Sequence, residues 1–317
     1  MGRKRILFIC GSLNQTTINS EVARHLADYD CWFTPFYGNG IVWAAARAGL
    51  LEFSILGRRA RGRAEAFLRD ADGAIDDGGS SRDYDLVVTC TDLIIPKNVR
   101  TKALVLVQEG MIDPENLVYR LVRALHLPRF LANTSMTGLS RAYRAFCVAS
   151  DGFREIFVRK GLDPGRIRVT GIPNFDNVDA YRVNEFPLRN FVLAATSHLR
   201  ECLKFENRKE FILRAMRVAD GRPLLFKLHP LECSFRAERE IRRYAPGHPV
   251  YTDGNTNHMI ANSQALVTRY SSVVLVAAAL GKEVHSDLDP RFLQRVKPIQ
   301  NGGSSGRNIA EVCREFL

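Results

Sequence analysis

The sequence lacks any apolar run approaching the roughly 20 residues that span a bilayer, which argues against a membrane-crossing enzyme. It also lacks CxxC pairs. Its seven cysteines stand singly, at Cys10, Cys31, Cys90, Cys147, Cys202, Cys233 and Cys313. An odd, scattered set in a chain of 317 residues implies reduced thiols in a reducing, cytoplasmic compartment. The same spacing argues against zinc. Neither GxGxxG nor a Walker loop is present, so dinucleotide and ATP binding are not indicated. There is no repeat at solenoid spacing. The apolar run after Arg3, Lys4 and Arg5 is too short for a signal-peptide core and has no small-residue cleavage site. Ile6 stands where a myristoylation pattern needs Ser or Thr. No metal and no cofactor is expected.

What remains is an ordinary globular composition, 46% hydrophobic and 25% charged, long enough for about two domains. The net charge is +11. Such a charge suits anionic substrates, an anionic membrane face or nucleic acid. Arginines concentrate at Arg58, Arg59, Arg61 and Arg63 and again between Arg236 and Arg243. Aromatic residues do not interleave these runs as a single-strand binder requires, so they read as solvated helix faces and no nucleic acid is expected.

Apolar runs of strand length alternate with helix-length segments almost throughout, which predicts parallel sheets built from βαβ units. Strands are expected at residues 6–10, 85–90, 103–107, 144–149 and 167–170. Helices are expected at 18–26, 114–125 and 153–160. The stretch 174–188 loses apolar periodicity, and a second series follows. Its strands are expected at 191–195, 224–228, 250–251, 265–268 and from 284. Its helices are expected at 207–218, 236–244, 257–262, 273–280 and 309–317. The fold class is therefore α/β, with two Rossmann-like, doubly wound parallel-sheet domains over residues 1–183 and 184–317. Ligands in such sheets bind beyond the carboxyl ends of the strands, and most of the polar clusters lie there.

Residues 11–17 join the first strand to the first helix. Gly11, Ser12 and Thr17 could present backbone N–H groups and hydroxyls to an anion, or form a plain turn and cap. Glu109 follows the strand at 103–107, where a carboxylate can act as general base toward a sugar hydroxyl. Asp92 and Asp151 hold equivalent positions and are weaker candidates, while Asp76 and Asp77 read as an exposed loop. In the second half, Lys227, Leu228, His229 and Pro230 end a strand. The imidazole can bind a phosphate or carry a proton, and proline fixes the turn. Ser271 and Ser272 end the next long strand and open a helix, a natural phosphate seat. Thr196, Ser197 and Arg200 add a third polar rim, with Arg200 able to grip a phosphate through two hydrogen bonds.

The run Val169-Thr170-Gly171-Ile172-Pro173-Asn174-Phe175-Asp176 resembles the Val-Thr-Gly-x-Pro-x-x-Asp interdomain segment of UDP-N-acetylglucosamine 2-epimerases and of capsule or teichoic-acid transferases. That resemblance implies the GT-B fold, two Rossmann-like domains facing across a cleft with the nucleotide held mainly by the C-terminal one. Thr196-Ser197-His198-Leu199-Arg200-Glu201 is similar to the epimerase Thr-x-His-Arg-x-Glu-Asn run with an insertion. The epimerase Asp-Ser-Gly-Gly loop, however, is replaced by Arg269-Tyr270-Ser271-Ser272, without glycines or acids, which counts against epimerisation. His229-Pro230 paired with Ser271-Ser272 is similar instead to the His-Pro and Ser-Ser motifs of bacterial GT-B sialyltransferases. The implied activity is metal-independent transfer of a sugar from a CMP- or UDP-type donor to a glycan or lipid-linked acceptor in surface polysaccharide synthesis. Glu109 would be the base, His229, Ser271 and Ser272 would hold the donor phosphate, and Arg200 or Lys227 would offset its charge. The basic surface fits peripheral contact with an anionic membrane. An epimerase-like enzyme and a non-catalytic binding protein of the same fold are the alternatives.

Overall fold

Strands buried on both faces organise the chain. The structure is a computed structural model that describes residues 2–38, 40–52, 54–201 and 204–317. In β1 (Arg5–Ile9) four consecutive residues, Ile6 to Ile9, are buried. Such a strand needs cover on both sides of its sheet, the hallmark of parallel α/β construction.

The N-terminal series runs β1, α1 (Leu13–Arg24), β2 (Asp30–Thr34), α2 (Ile41–Arg47), α3 (Arg58–Asp70), β3 (Leu86–Thr89), β4 (Ala103–Val107), α4 (Leu117–Ala124), β5 (Ala145–Val148), α5 (Asp151–Arg159) and β6 (Ile167–Val169). Its six strands lie in the order β2-β1-β3-β4-β5-β6, all parallel. The strand order reverses between β1 and β3, which places the ligand-binding crevice of such a sheet there.

The second series runs β7 (Val192–Ala195), α6 (Arg208–Ala219), β8 (Leu224–Lys227), α7 (Ser234–Tyr244), β9 (Val250–Tyr251), α8 (Thr256–Asn262), β10 (Ala265–Val267), α9 (Val273–Ala279), β11 (Glu283–His285) and α10 (Pro290–Arg295). The order is β11-β10-β7-β8-β9, again wholly parallel, with its reversal between β7 and β10. One core of this unit joins Val192 and Ala194 of β7 and Phe226 of β8 to Phe211, Ile212 and Ala215 of α6 and to Ala237 and Ile241 of α7. α7 carries its arginines on the opposite, solvated face, and α3 likewise turns Ala60, Ala64 and Leu68 inward. The two arginine runs are thus helix surfaces, as expected.

The expected division at 183/184 differs from the observed one. The first compact unit comprises Met1–Asp176 together with Pro298–Leu317, and the second Asn177–Lys297. The last helix, α11 (Ser305–Arg314), belongs to the first unit although the sequence places it last. Hydrogen bonds explain the return. Ile299 donates to the Ala149 carbonyl at 3.0 Å, the Ser305 amide donates to the Asp176 carboxylate at 2.9 Å, and the Asn301 side chain donates to the Thr170 carbonyl at 3.2 Å. Gly171 has φ +75°, and a Cβ there would lie 2.2 Å from Ser305 Oγ. The Thr-Gly-x-Pro-x-x-Asp run is therefore the clamp that receives the C-terminal segment.

Cys10, Cys90, Cys147 and Cys313 are buried free thiols, and desolvation pushes Cys10 and Cys147 up to about 12. The small-hydrophobe reading of Cys10, Cys90 and Cys147 holds; Cys202 lies outside the described residues, as does Met1. No helix among the described residues is long and apolar enough to cross a membrane.

Candidate functional site

Two polar clusters occupy strand ends, one in each unit. In the first unit the chain turns at Gly11 directly after β1. A Cβ on Gly11 would meet Tyr37 at 2.8 Å and Gln15 Oε1 at 2.9 Å, so only glycine lets the backbone pass. Ser12 then caps α1, accepting from the Gln15 amide at 3.1 Å. The expected seven-residue loop is accordingly shorter. Thr17 sits inside α1, because a cap at Ser12 starts the helix at Leu13.

Glu109, just past β4, meets this turn. The Ser12 hydroxyl donates to Glu109 Oε1 at 2.9 Å, and the Gln15 side-chain amide donates to Oε2 at 2.6 Å. Asn14 Nδ2 adds a bond to the Glu109 backbone carbonyl at 3.3 Å. Gln15 is itself fixed, since its Oε1 accepts the Gly11 N–H at 2.9 Å. Asn174, beyond the end of β6, donates to Thr17 Oγ at 3.1 Å and to Asn14 Oδ1. Gly11, Ser12, Thr17 and Glu109 are thus brought together. Asn14, Gln15 and Asn174 complete the cluster. Sequence reasoning passed over them because a lone amide has no distinctive signature; their only signal was membership of the same turn and of the Thr-Gly-x-Pro-Asn run.

The carboxylate of Glu109 is held by neutral donors, with no arginine or lysine among its hydrogen-bond partners in the described residues. Hydroxyl and amide donors aim this half-buried carboxylate. The rival Asp92 is differently employed. Fully buried, it accepts the Gly138 amide at 2.9 Å and the Ser140 amide at 3.0 Å, and so shapes a loop.

In the second unit the tips of β10, β7 and β8 are laced together. Thr268 Oγ donates to the Ala195 carbonyl at 2.9 Å, the Thr196 amide to the Lys227 carbonyl at 3.0 Å, and the His229 amide to Thr196 Oγ at 3.0 Å. His229 Nδ1 accepts from the Leu231 amide at 3.1 Å. That bond leaves the proton of the neutral ring on Nε2, which makes Nε2–H a donor. Pro230 is exposed and forces the turn that brings Leu231 back to the ring. The imidazole of His198 stacks on His229 with centroids 4.0 Å apart and an interplanar angle of 20°. Burial lowers the pKa of His198, keeping it neutral against its partner. Ser271 and Ser272 are half-buried at the start of α9. Ser271 Oγ accepts from the Val273 amide at a long 3.5 Å. α9 has 7 residues, so the expected phosphate seat depends on the serine side chains more than on a helix terminus.

Three expected site residues serve another structure. Arg200 closes a two-bond fork on Glu240, both bonds 2.8 Å long, and its approaches to Glu206 and Glu232 are 3.5 and 3.8 Å. Its guanidinium is already neutralised, which corrects the expectation that it offsets a donor phosphate. Lys227 is buried and donates to the Leu228 and Thr252 carbonyls, both at 2.9 Å, so its ammonium secures the β8 end instead. Ser197 donates to Glu206 at 3.3 Å. The centre of this network is Arg208, which bonds Glu206 at 2.8 Å, the Ser197 carbonyl at 3.1 Å and Glu232. The side chains of Glu206 and Glu232 are fully buried. Glu232 also accepts the Thr196 hydroxyl. Burial pushes the Glu232 carboxyl above its ordinary range, against the pull of Arg208. A groove of 470 Å³ opens beside the network, lined by Arg208, Lys209, Arg239, Arg243 and Tyr244 among others. It does not include His229 or the paired serines. Among the described residues no group of three potential metal ligands occurs.

No family model matches the chain, and no curated protein matches it. Solved structures do. UDP-GlcNAc 2-epimerase from Neisseria meningitidis, bound to UDP-GlcNAc, is 12% identical with a TM-score of 0.61, covering 98% of this chain and 100% of its own. A Listeria monocytogenes protein assigned as a UDP-N-acetylglucosamine 2-epimerase is 13% identical with a TM-score of 0.63, covering 100% and 97%. The wall teichoic acid polymerase TagF is 10% identical with a TM-score of 0.50, covering 98% and 88%. These neighbours are GT-B proteins, and the two parallel α/β units of the chain have that fold.

Proposed function

We propose that the chain is a cytoplasmic glycosyltransferase that moves a sugar from a CMP- or UDP-type donor to a glycan or lipid-linked acceptor of a surface polysaccharide. The observation that carries this reading is the carboxylate of Glu109, aimed by Ser12 and Gln15 and, among the described residues, hydrogen-bonded by no cation. Glu109 accepts the proton of the acceptor hydroxyl as that oxygen bonds to the anomeric carbon. The bond from that carbon to the donor phosphate breaks, and the electron pair leaves with the nucleotide. His229 Nε2–H, with Ser271 and Ser272, stabilises the charge gathering on the departing phosphate; donors preorganised in this way contribute on the order of 10²–10³ in rate. Thr196, Lys227 and Pro230 support that rim by fixing the backbone around His229, while Ser197 and Arg200 brace the glutamate network beneath it. Gly11 and Thr17 support the turn that aims Glu109.

Transfer is tested with His229→Ala and Glu109→Gln against a panel of CMP- and UDP-sugars. Loss of transfer with retained donor binding in Glu109→Gln fits the assignment, and unchanged turnover in both variants refutes it. One observation favours a second reading, epimerisation of a UDP-sugar: two of the solved structures the chain resembles over nearly its full length are assigned as 2-epimerases. Incubation with UDP-GlcNAc alone separates the readings, since an epimer forms without an acceptor only in the second.

A further inference from the structure

The outer surface of α4 and the turn that follows it is apolar. Fifteen large hydrophobic residues are exposed among the described residues, and seven of them fall between Leu117 and Leu131. They are Leu117, Val118, Leu121, Leu125, Leu127, Phe130 and Leu131, each 40–71% exposed.

The helix has two apolar sides. Tyr119 and Val122 turn inward and pack with Ala132 and Met136. Leu117, Leu121 and Leu125, together with Ala124, follow the i, i+4, i+7, i+8 spacing that lines the opposite, solvent-facing stripe. A stripe toward the protein accounts for the first set and nothing within the unit accounts for the second. Isolated exposed leucines are ordinary, but a contiguous patch of this kind marks an interaction surface.

The charges around the patch decide which surface. Residues 117–132 contain no Asp or Glu, while Arg120, Arg123 and Arg129 flank the apolar stripe. Arg120 and Arg123 are exposed at the edge of the helix. Exposed Glu115 precedes the helix, but within it an apolar stripe whose flanking charges, Arg120 and Arg123, are all basic is the pattern of a helix lying in an anionic lipid interface, with leucines in the acyl boundary and guanidinium groups at the headgroups. A protein partner of mixed polarity would call for acceptors and acids that the segment does not contain.

We infer that Leu117–Leu131 is a membrane-docking face that seats the first unit on a bilayer containing anionic lipid. This extends the proposed lipid-linked acceptor by naming the surface that reaches it, but binding is measured without donor or acceptor and so stands or falls separately from the transfer reaction.

The experiment is flotation of the full chain with phosphatidylcholine vesicles and with vesicles of about 30% phosphatidylglycerol. Binding is expected to the anionic vesicles and to weaken in high salt, because surface attraction falls within a Debye length. Arg120→Glu should weaken it at least about fivefold, the equivalent of roughly 1 kcal/mol per basic residue, and Leu121→Glu more than tenfold. Since Leu121 is exposed, both variants should keep the wild-type melting temperature. A second probe does not depend on a loss. Leu121→Trp should be quenched by brominated lipid well beyond the background of Trp32 and Trp43. No vesicle binding by the wild type, or a Leu121→Trp signal that brominated lipid leaves unchanged, overturns the inference. So does a concentration-dependent dimer that Leu121→Glu abolishes, because the patch would then be an interface between copies of the chain.

Discussion

The two polar clusters solve one problem, that of holding carboxylates beside the strand ends, in opposite ways. In the first unit Glu109 is surrounded by a serine hydroxyl and side-chain amides. In the second, Glu206, Glu232 and Glu240 are gripped by Arg200 and Arg208. Neutral donors orient a carboxylate without placing a formal positive charge against it. Guanidinium partners take up its oxygens in charge-assisted bonds and turn it into scaffolding. The difference teaches which acids are tied up as architecture and which one is left to the proposed chemistry, something a count of acidic residues does not reveal.

Substitutions can break this comparison in order of expected effect. Glu109→Gln keeps the shape but removes the carboxylate proposed as base, and transfer should fall by about 10²–10⁴ with the melting temperature little changed. Arg208→Met should do the reverse. It strands Glu206 and Glu232 in the interior and should cost about 3–5 kcal/mol in a denaturant titration. The lower end is expected, since Arg200 still approaches both carboxylates. A network that tolerates the change without loss of stability is not the scaffold described.

Gln15→Ala is a gentler probe of the first cluster. It removes one aimed donor from Glu109 and leaves the carboxylate itself, so kcat should fall about tenfold, in line with roughly 1.5 kcal/mol for a hydrogen bond to a charged group. The donor KM should stay constant. A change confined to KM would place Gln15 in donor binding instead.

The smallest effect is a pH dependence at the histidine pair. Burial lowers the His198 pKa in the folded chain. Below the ordinary histidine value of about 6.5, the unfolded state therefore binds the proton more readily, and stability declines as pH falls through that range. His198→Phe keeps a ring against His229 and removes the titrating group, so its melting temperature should vary less between pH 7 and pH 5 than that of the parent protein.

Much of the fold was legible because its strands are apolar runs. β4 and β9 match the expected ranges, and most other elements agree within two or three residues. The region 30–70 was not legible. Asp30, Cys31 and Trp32 of β2 are only half-buried, and α3 is dominated by arginine, so neither presents a clear apolar signal. The return of α11 to the first unit was hidden for a different reason. It rests on hydrogen bonds to residues 149–176 and on packing of α11, with its buried Ile309, Ala310 and Cys313, against α1. Periodicity shows that this helix has an apolar face without showing which unit covers it.

At the site, the residue types were readable and their employment was not. His229 and Glu109 stood out because each directly follows a strand. Arg200 and Lys227 looked equally placed, yet their partners Glu240 and Thr252 lie 40 and 25 residues away. Distance in sequence concealed that both cations were already satisfied.

The central claim is that the tips of β7, β8 and β10 hold a nucleotide through His229 and the paired serines. Calorimetric titration of the full chain with CMP, CDP, UDP and GDP tests it most directly, repeated on His229→Ala and on Ser271→Ala with Ser272→Ala. The account predicts that a cytidine or uridine nucleotide binds the parent protein and that each variant loses at least tenfold in affinity while remaining folded. A parent protein that binds none of the four, or variants that bind as tightly as the parent, would contradict it.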